Sequence, residues 1–178
     1  MNKTYVISLL GAAMSCALSA QEPPANPLIS GEKGVYTYIS GALIAAAEKM
    51  PEEDYAFKPT PEIRSFGQLV GHAADGQYLF CSMALGVKNP MPSIEKSTTA
   101  KADLVQALKD AVAYCNNKAY AGMTDAKAAE MTKMMGRDSP RLTVLSLNTA
   151  HSDEHYGNMV TYLRLKGIVP PTSEPARK

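Results

Sequence analysis

The chain has 178 residues, 46% of them apolar and 20% charged, with a formal net charge of +1. Those values fit one globular domain able to bury its own core, and they exclude general disorder. The near-zero charge supplies no basic field, so no nucleic-acid partner is expected.

Residues 1–20 read as a secretory signal peptide. Lys3 gives a positive start, residues 5–17 are almost wholly apolar, and Ser19 and Ala20 supply small residues before a cut ahead of Gln21. The apolar run is about 13 to 16 residues, short of the roughly 20 that a spanning helix needs. No membrane span is therefore expected after cleavage, and the mature protein is expected to be secreted or periplasmic. A lipoprotein anchored at Cys16 is the rival reading, but Ala13 stands where such signals usually carry leucine. Lys3 is the only charge in the leader. Its loss brings 18 basic residues to 17, equal to the 17 acidic ones.

Residues 21–29 hold three prolines and read as an extended entry arm. Residues 30–172 then read as an all-α four-helix bundle. The first helix is predicted over 34–49. The connector 51–64 contains three prolines, with Tyr55 and Phe57 packing back onto the bundle. Ser65 is a good N-cap for the second helix and Gly86 a good stop. Residues 88–99 read as a loop and 101–120 as the third helix. Residues 124–136 suggest a short extra helix. No run of alternating β-branched residues suggests a sheet. The last helix is predicted to open at Ser139-Pro140, an N-cap followed by proline at the first helical position, and to end at Gly167. The chain after Pro171 reads as polar and loose, with 173–178 a flexible tail.

All three histidines fall on predicted bundle seams. One seam on the second helix reads Leu69, His72, Gly76, Leu79, Met83; one on the last reads Val144, Asn148, His151, His155, Asn158, Tyr162. The stripe Leu145, Tyr156, Val160, Leu163 supplies ordinary packing beside it. A polar stripe facing a core costs free energy unless its groups are satisfied. His151 and His155 are four apart, so their rings share a face. With His72 from a facing helix they offer three ligands to one divalent metal and leave a position open for water or an unidentified small-molecule substrate, the ligand count of a catalytic site. The competing reading has each histidine bonded to a carbonyl or carboxylate. Asp75 and Glu154 are the candidate catalytic groups, orienting ligands or moving a proton; Asp153 reads as solvated surface. His-x-x-Glu-His also matches an inverted zincin signature, but no later glutamate ligand follows in a clear place.

The segments 50–59, 63–72, 150–158 and 162–167 carry a resemblance to a family. Pro51, Tyr55, Phe57 and Pro59, then Phe66, Leu69 and His72, then His151, His155, Tyr156, Tyr162 and Gly167 together resemble the DinB-like (DinB/YfiT-like) family of four-helix bundles. The resemblance spans about residues 30–172. It implies that one histidine on the second helix and His-x-x-x-His on the last bind a divalent metal, and His72, His151 and His155 match that pattern. It also implies metal-dependent transferases that activate a low-molecular-weight thiol, and homodimers. An exported chain departs from those largely cytosolic enzymes. A metal-dependent transferase or hydrolase is therefore one expectation, and a non-catalytic metal-binding or stress-related envelope protein the other. The metal would act as a Lewis acid or lower the pKa of a bound water or thiol. Imidazole ligands serve zinc, nickel, iron and manganese alike.

Cys81 lies nine residues after His72, about 13 Å further along the helix and on its opposite side, so the two cannot share a metal. Cys115 shares an inward stripe with Leu104, Leu108 and Ala111. Cys81 and Cys115 form either a disulfide between the second and third helices or two buried thiols. Met131, Met134 and Met135, with Met123 nearby, read as flexible core filler rather than a copper site. Tyr38 and Tyr156 are candidates to line a pocket.

Overall fold

The computed structural model describes residues 25–175. The expected leader, residues 1–20 with Cys16, lies outside them, as do residues 21–24 of the entry arm and 176–178 of the tail. Four long helices form the bundle: α1 (Pro27–Lys49), α2 (Phe66–Leu85), α4 (Lys101–Tyr114) and α6 (Arg141–Leu165). Two short ones, α3 (Ile94–Ser97) and α5 (Asp125–Ala129), and a hairpin of β1 (Met131–Met134) and β2 (Arg137–Pro140) lie in the connections. The two central helices are α2, packed on α4 and α6, and α6, packed on α1 as well. Tyr36, Leu43, Phe66, Val70, Leu104, Leu108, Leu145, Met159 and Leu163 are fully buried between them. Among the described residues no helix is long and apolar enough to cross a membrane.

α1 starts seven residues before the predicted helix, with Pro27 in its first turn. The local sequence offers no side-chain cap there. The Asp125 carboxylate instead accepts from Leu28 N–H (3.2 Å) and Ile29 N–H (2.9 Å), and Asn26 Oδ1 accepts from Asp125 N–H (2.9 Å). A tertiary partner nearly a hundred residues away thus satisfies the free donors of the helix end, which shortens the extended arm.

The start of α2 is locally determined. Ser65 and Gln68 form a reciprocal capping box, and Gly86 closes the helix at φ +71°. Tyr55 and Phe57 do fold back: Tyr55 donates to Ala47 O (2.6 Å) and stacks edge-on against Phe66, and Phe57 meets Tyr162.

The region 124–140 corrects the prediction of one helix. Only five residues are helical, capped by Thr124. Met131 then pairs with Pro140 and Met134 with Arg137 in an antiparallel hairpin. Its two-residue turn, Met135-Gly136, has φ +50° and +83°, the sign that matches strand twist. Ser139 is therefore in β2 and caps nothing; α6 opens after Pro140, and Arg141 N–H donates to Glu130 O (2.9 Å). Met131 and Met135 are exposed, so neither is core filler, while Met134 and Met123 do pack against the core. The chain at Pro171–Ser173 is a 3-10 turn rather than loose: Thr172 N–H donates to Tyr156 Oη (3.1 Å), and the two hydroxyls bond at 2.7 Å.

Cys81 and Cys115 are disulfide-bonded, with Cα atoms 5.4 Å apart, tying α2 to the π-helical turn Cys115–Ala119 that ends α4.

Candidate metal centre

His72 is on α2, and His151 and His155 are one turn apart on α6. Their ring nitrogens converge: His151 Nε2 lies 3.3 Å from His72 Nε2 and 3.0 Å from His155 Nε2. All three ligand atoms fall within 4.8 Å of one another, and among the described residues no fourth His, Cys, Asp or Glu joins them. Two nitrogens held tetrahedrally about 2.0–2.1 Å from one ion would sit about 3.3–3.4 Å apart, so the spacing fits a shared cation.

The buried ring atoms on the other side support the same fit. His151 Nδ1 and His155 Nδ1 have no hydrogen-bond partner. Orphaned buried nitrogens are costly. Two rings that give up outward bonds while aiming Nε2 at a common point are arranged for something placed at that point. Burial first, then the neighbouring His155 and His72, hold the His151 pKa down to about 4. Burial first, then His72 and Arg64, do the same for His155, with Glu95 opposing. Both rings are thus neutral at pH 7, with lone pairs available to a cation.

These shifts have a signed consequence. An unfolded histidine titrates near 6.5. The unfolded state therefore binds protons that the native state refuses, and stability falls as pH drops from about 6.5 toward 4. The apo protein should melt progressively lower between pH 7 and 5, and the His151→Ala/His155→Ala double variant should show a flatter slope. Glu95 acts with the same sign only below the carboxylate range, so this window isolates the histidines. Equal slopes for both proteins would contradict the assignment.

Glycine makes room for His151. A Cβ on Gly76 would lie 2.5 Å from His151 Cε1 and 2.8 Å from Nδ1, closer than atoms pack. Phe80 holds the other side of that ring edge-on at 5.2 Å. Gly76→Ala should therefore displace the His151 ring. The helix gains about 0.5–1 kcal/mol of propensity against an overpacking cost of about 1–3 kcal/mol, so a net loss of up to about 2.5 kcal/mol is expected together with a drop in metal affinity. Unchanged affinity in a titration of Gly76→Ala would reject this role.

The polar stripe of α6 has two explanations rather than one. Asn148 and Ser152 serve a buried network on Gln77: Gln77 Nε2 donates to Ser152 Oγ (2.7 Å), and Gln77 Oε1 accepts from Asn148 Nδ2 and Tyr36 Oη (2.9 Å each). His151 and His155 form the cluster. Asn158 is exposed, as is Leu79 on α2, so neither is a seam position. His72 and His151 are half-buried at the bundle rim, and only His155 is buried.

Of the two candidate catalytic carboxylates, Glu154 is exposed beside His155. It lines a cleft of about 520 Å3 with Glu62, Arg64, Glu95, Asn158 and Tyr162. Asp75 touches no histidine; its oxygens accept from Ile94 N–H (2.7 Å) and Glu95 N–H (3.0 Å). A second cleft of about 210 Å3, with Leu79, Phe80 and Pro92 among its walls, reaches His72 and His151. Tyr38 is exposed on α1 and Tyr156 is engaged by Thr172, so neither lines these clefts.

The carboxylate that does meet a histidine is Glu95. Its Oε2 lies 3.0 Å from His72 Nδ1 and its Oε1 accepts from Arg64 Nε at 2.9 Å. Burial pushes its carboxyl up, but Arg64 and then His72 outweigh that and hold it below the usual range. Sequence reasoning missed Glu95 because nothing periodic links it to His72; only the placement of α3 joins them. The role of Gly76 was legible in principle, since it removes a side chain one turn after His72.

Residues 40–159 match the family model of the DinB superfamily, and the chain belongs to that superfamily. Solved structures that share the fold include two DinB-like proteins. A DinB-like protein from Bacillus cereus superposes with a TM-score of 0.69 at 16% identity, covering 80% of this chain and 95% of its own. One from Bacillus subtilis gives 0.63 at 18% identity, covering 84% and 100%. No curated protein matches the chain.

Proposed function

We propose that this protein binds one divalent cation through His72, His151 and His155, and that the bound ion serves an open reaction site. The observation that carries the reading is the convergence of three Nε2 atoms at metal-ligand spacing while two of the rings leave Nδ1 unpartnered. Membership of the DinB superfamily supports it. A divalent cation there supplies Lewis-acid polarisation. The clefts on either side leave room for a small molecule against the histidines, which favours a metal-dependent transferase or hydrolase over a closed structural site. Glu154, at the mouth of the wider cleft, is within the set of groups able to move a proton for a molecule held there. The leader pattern of residues 1–20, together with a disulfide in the mature fold, supports an exported, secreted or periplasmic protein.

The test is metal analysis of residues 21–178 purified without a histidine tag. One equivalent of zinc, nickel, iron or manganese per chain is expected after exposure to that ion and desalting. Trace, non-stoichiometric metal would overturn the reading. If the metal is stoichiometric but exogenous imidazole does not perturb the cobalt-substituted spectrum, the site is closed and the non-catalytic alternative holds.

A further inference from the structure

The three histidines are not equivalent. His151 and His155 have no partner at Nδ1, whereas His72 meets the Glu95 carboxylate at 3.0 Å. Glu95 sits on α3, a single turn of helix that has no stability of its own. Three contacts hold that turn in place. Asp75, one turn beyond His72 on α2, accepts from the N–H groups of Ile94 and Glu95. Gly71 lets the two backbones touch, since a Cβ there would lie 2.7 Å from Glu95 Cα. Arg64 takes the second Glu95 oxygen at 2.9 Å. A segment with little intrinsic order is thus anchored through both its backbone and its one functional side chain, and the anchoring delivers a carboxylate to a single ring nitrogen.

We propose that Glu95 is a positioning residue for the metal centre, fixing His72 as the tautomer with its proton on Nδ1 and its Nε2 lone pair directed at His151 and His155. An ionised carboxylate is acceptor-only, so the hydrogen of that bond belongs to His72. In the neutral ring the bond places the proton on Nδ1 and the lone pair on Nε2, and it sets the ring angle. Arg64 holds the other carboxylate oxygen and so fixes the orientation of the group. Asp75 acts through Glu95: it touches no ligand, but without it α3 has no cap. The proposal rests on the metal reading, and its test separates the two.

Residues 21–178 without a tag, as wild type, Glu95→Gln and Glu95→Ala, would be titrated with zinc against a chromophoric chelator. The His72 tautomer would be read in the metal-free proteins by long-range nitrogen–proton correlation. Glu95→Ala is expected to weaken zinc binding about 10- to 100-fold and to move His72 away from a pure Nδ1–H tautomer. Glu95→Gln keeps an oxygen acceptor and should recover much of the tautomer preference while losing the charge-dependent part of the affinity. A merely structural role would lower stability without moving the tautomer. If wild type binds zinc and both variants match it in affinity and tautomer, the proposal is overturned. If wild type takes up none of zinc, nickel, iron or manganese, the metal reading fails, and the tautomer measurement still decides whether Glu95 orients His72.

Discussion

His155→Ala should abolish stoichiometric metal binding while leaving the bundle folded. His155 is the most buried of the three rings at 6% exposure, and its Nε2 lies 3.0 Å from that of His151. Without it two imidazoles remain, one on each side of the α2–α6 seam, and the one carboxylate paired with them, Glu95, meets His72 at Nδ1 rather than inside the cluster. Affinity should fall by more than about 100-fold, beyond what loss of an outer-sphere partner costs. The fold should tolerate the change, because the wild-type ring already leaves Nδ1 unsatisfied. Truncation loses packing but also removes an orphaned polar atom. The two effects separate in a melting experiment. Saturating cation at 100 times Kd should stabilise wild type by about 2.7 kcal/mol and His155→Ala hardly at all, with similar melting of the metal-free forms. His72→Ala should lose binding equally but also release Glu95 and Arg64, so its metal-free form should change more. Identical metal content in wild type and variants would defeat the three-histidine assignment.

What was legible in the sequence follows from the range of the interactions involved. The ends of α2 were readable because Ser65, Gln68 and Gly86 act on their own helix. The start of α1 was not, because its cap is Asp125. The hairpin escaped because Met131, Lys133 and Met134 lack β-branched character, and Gly136 alone marked the turn. The histidine cluster was visible because i,i+4 spacing constrains two ligands and a facing helix brings the third. Its geometry was readable less accurately: His72 lies at the rim rather than in a core seam. Glu95 was invisible for the reason α3 exists at all. A four-residue helix has no periodicity to detect, and its position is set by Asp75, Gly71 and Arg64 acting across the fold. Asp75 lies in the neighbourhood that its spacing from His72 predicts, but it bonds the backbone of α3 instead of a histidine.

Removing the Cys81–Cys115 bond should cost the fold several kcal/mol of stability. It joins positions separated by 34 residues, a loop the chain-entropy model values at about 3–4 kcal/mol. Both cysteines are fully buried, so the bond should resist mild reductant until the chain opens. The loss should fall somewhat short of the full loop term. A Cys115 thiol would find Gln77 O at 3.3 Å as an acceptor, and alanines would instead leave small voids. The Cys81→Ala/Cys115→Ala variant should unfold at lower urea with a similar slope, and intact mass should rise by about 2 Da on reduction of wild type only. The same bond bears on the proposed export. Such a contribution is realised only where thiols are oxidised. The full chain, processed to begin at Gln21 in an oxidising compartment, should therefore carry the bond, while residues 21–178 made in a reducing cytosol should carry two alkylatable thiols after denaturation and be less stable than the oxidised protein, though not as unstable as the alanine variant. Equal stability of the oxidised and reduced proteins would mean that packing around Gln77 and Asn148, not the crosslink, holds α2 to the end of α4.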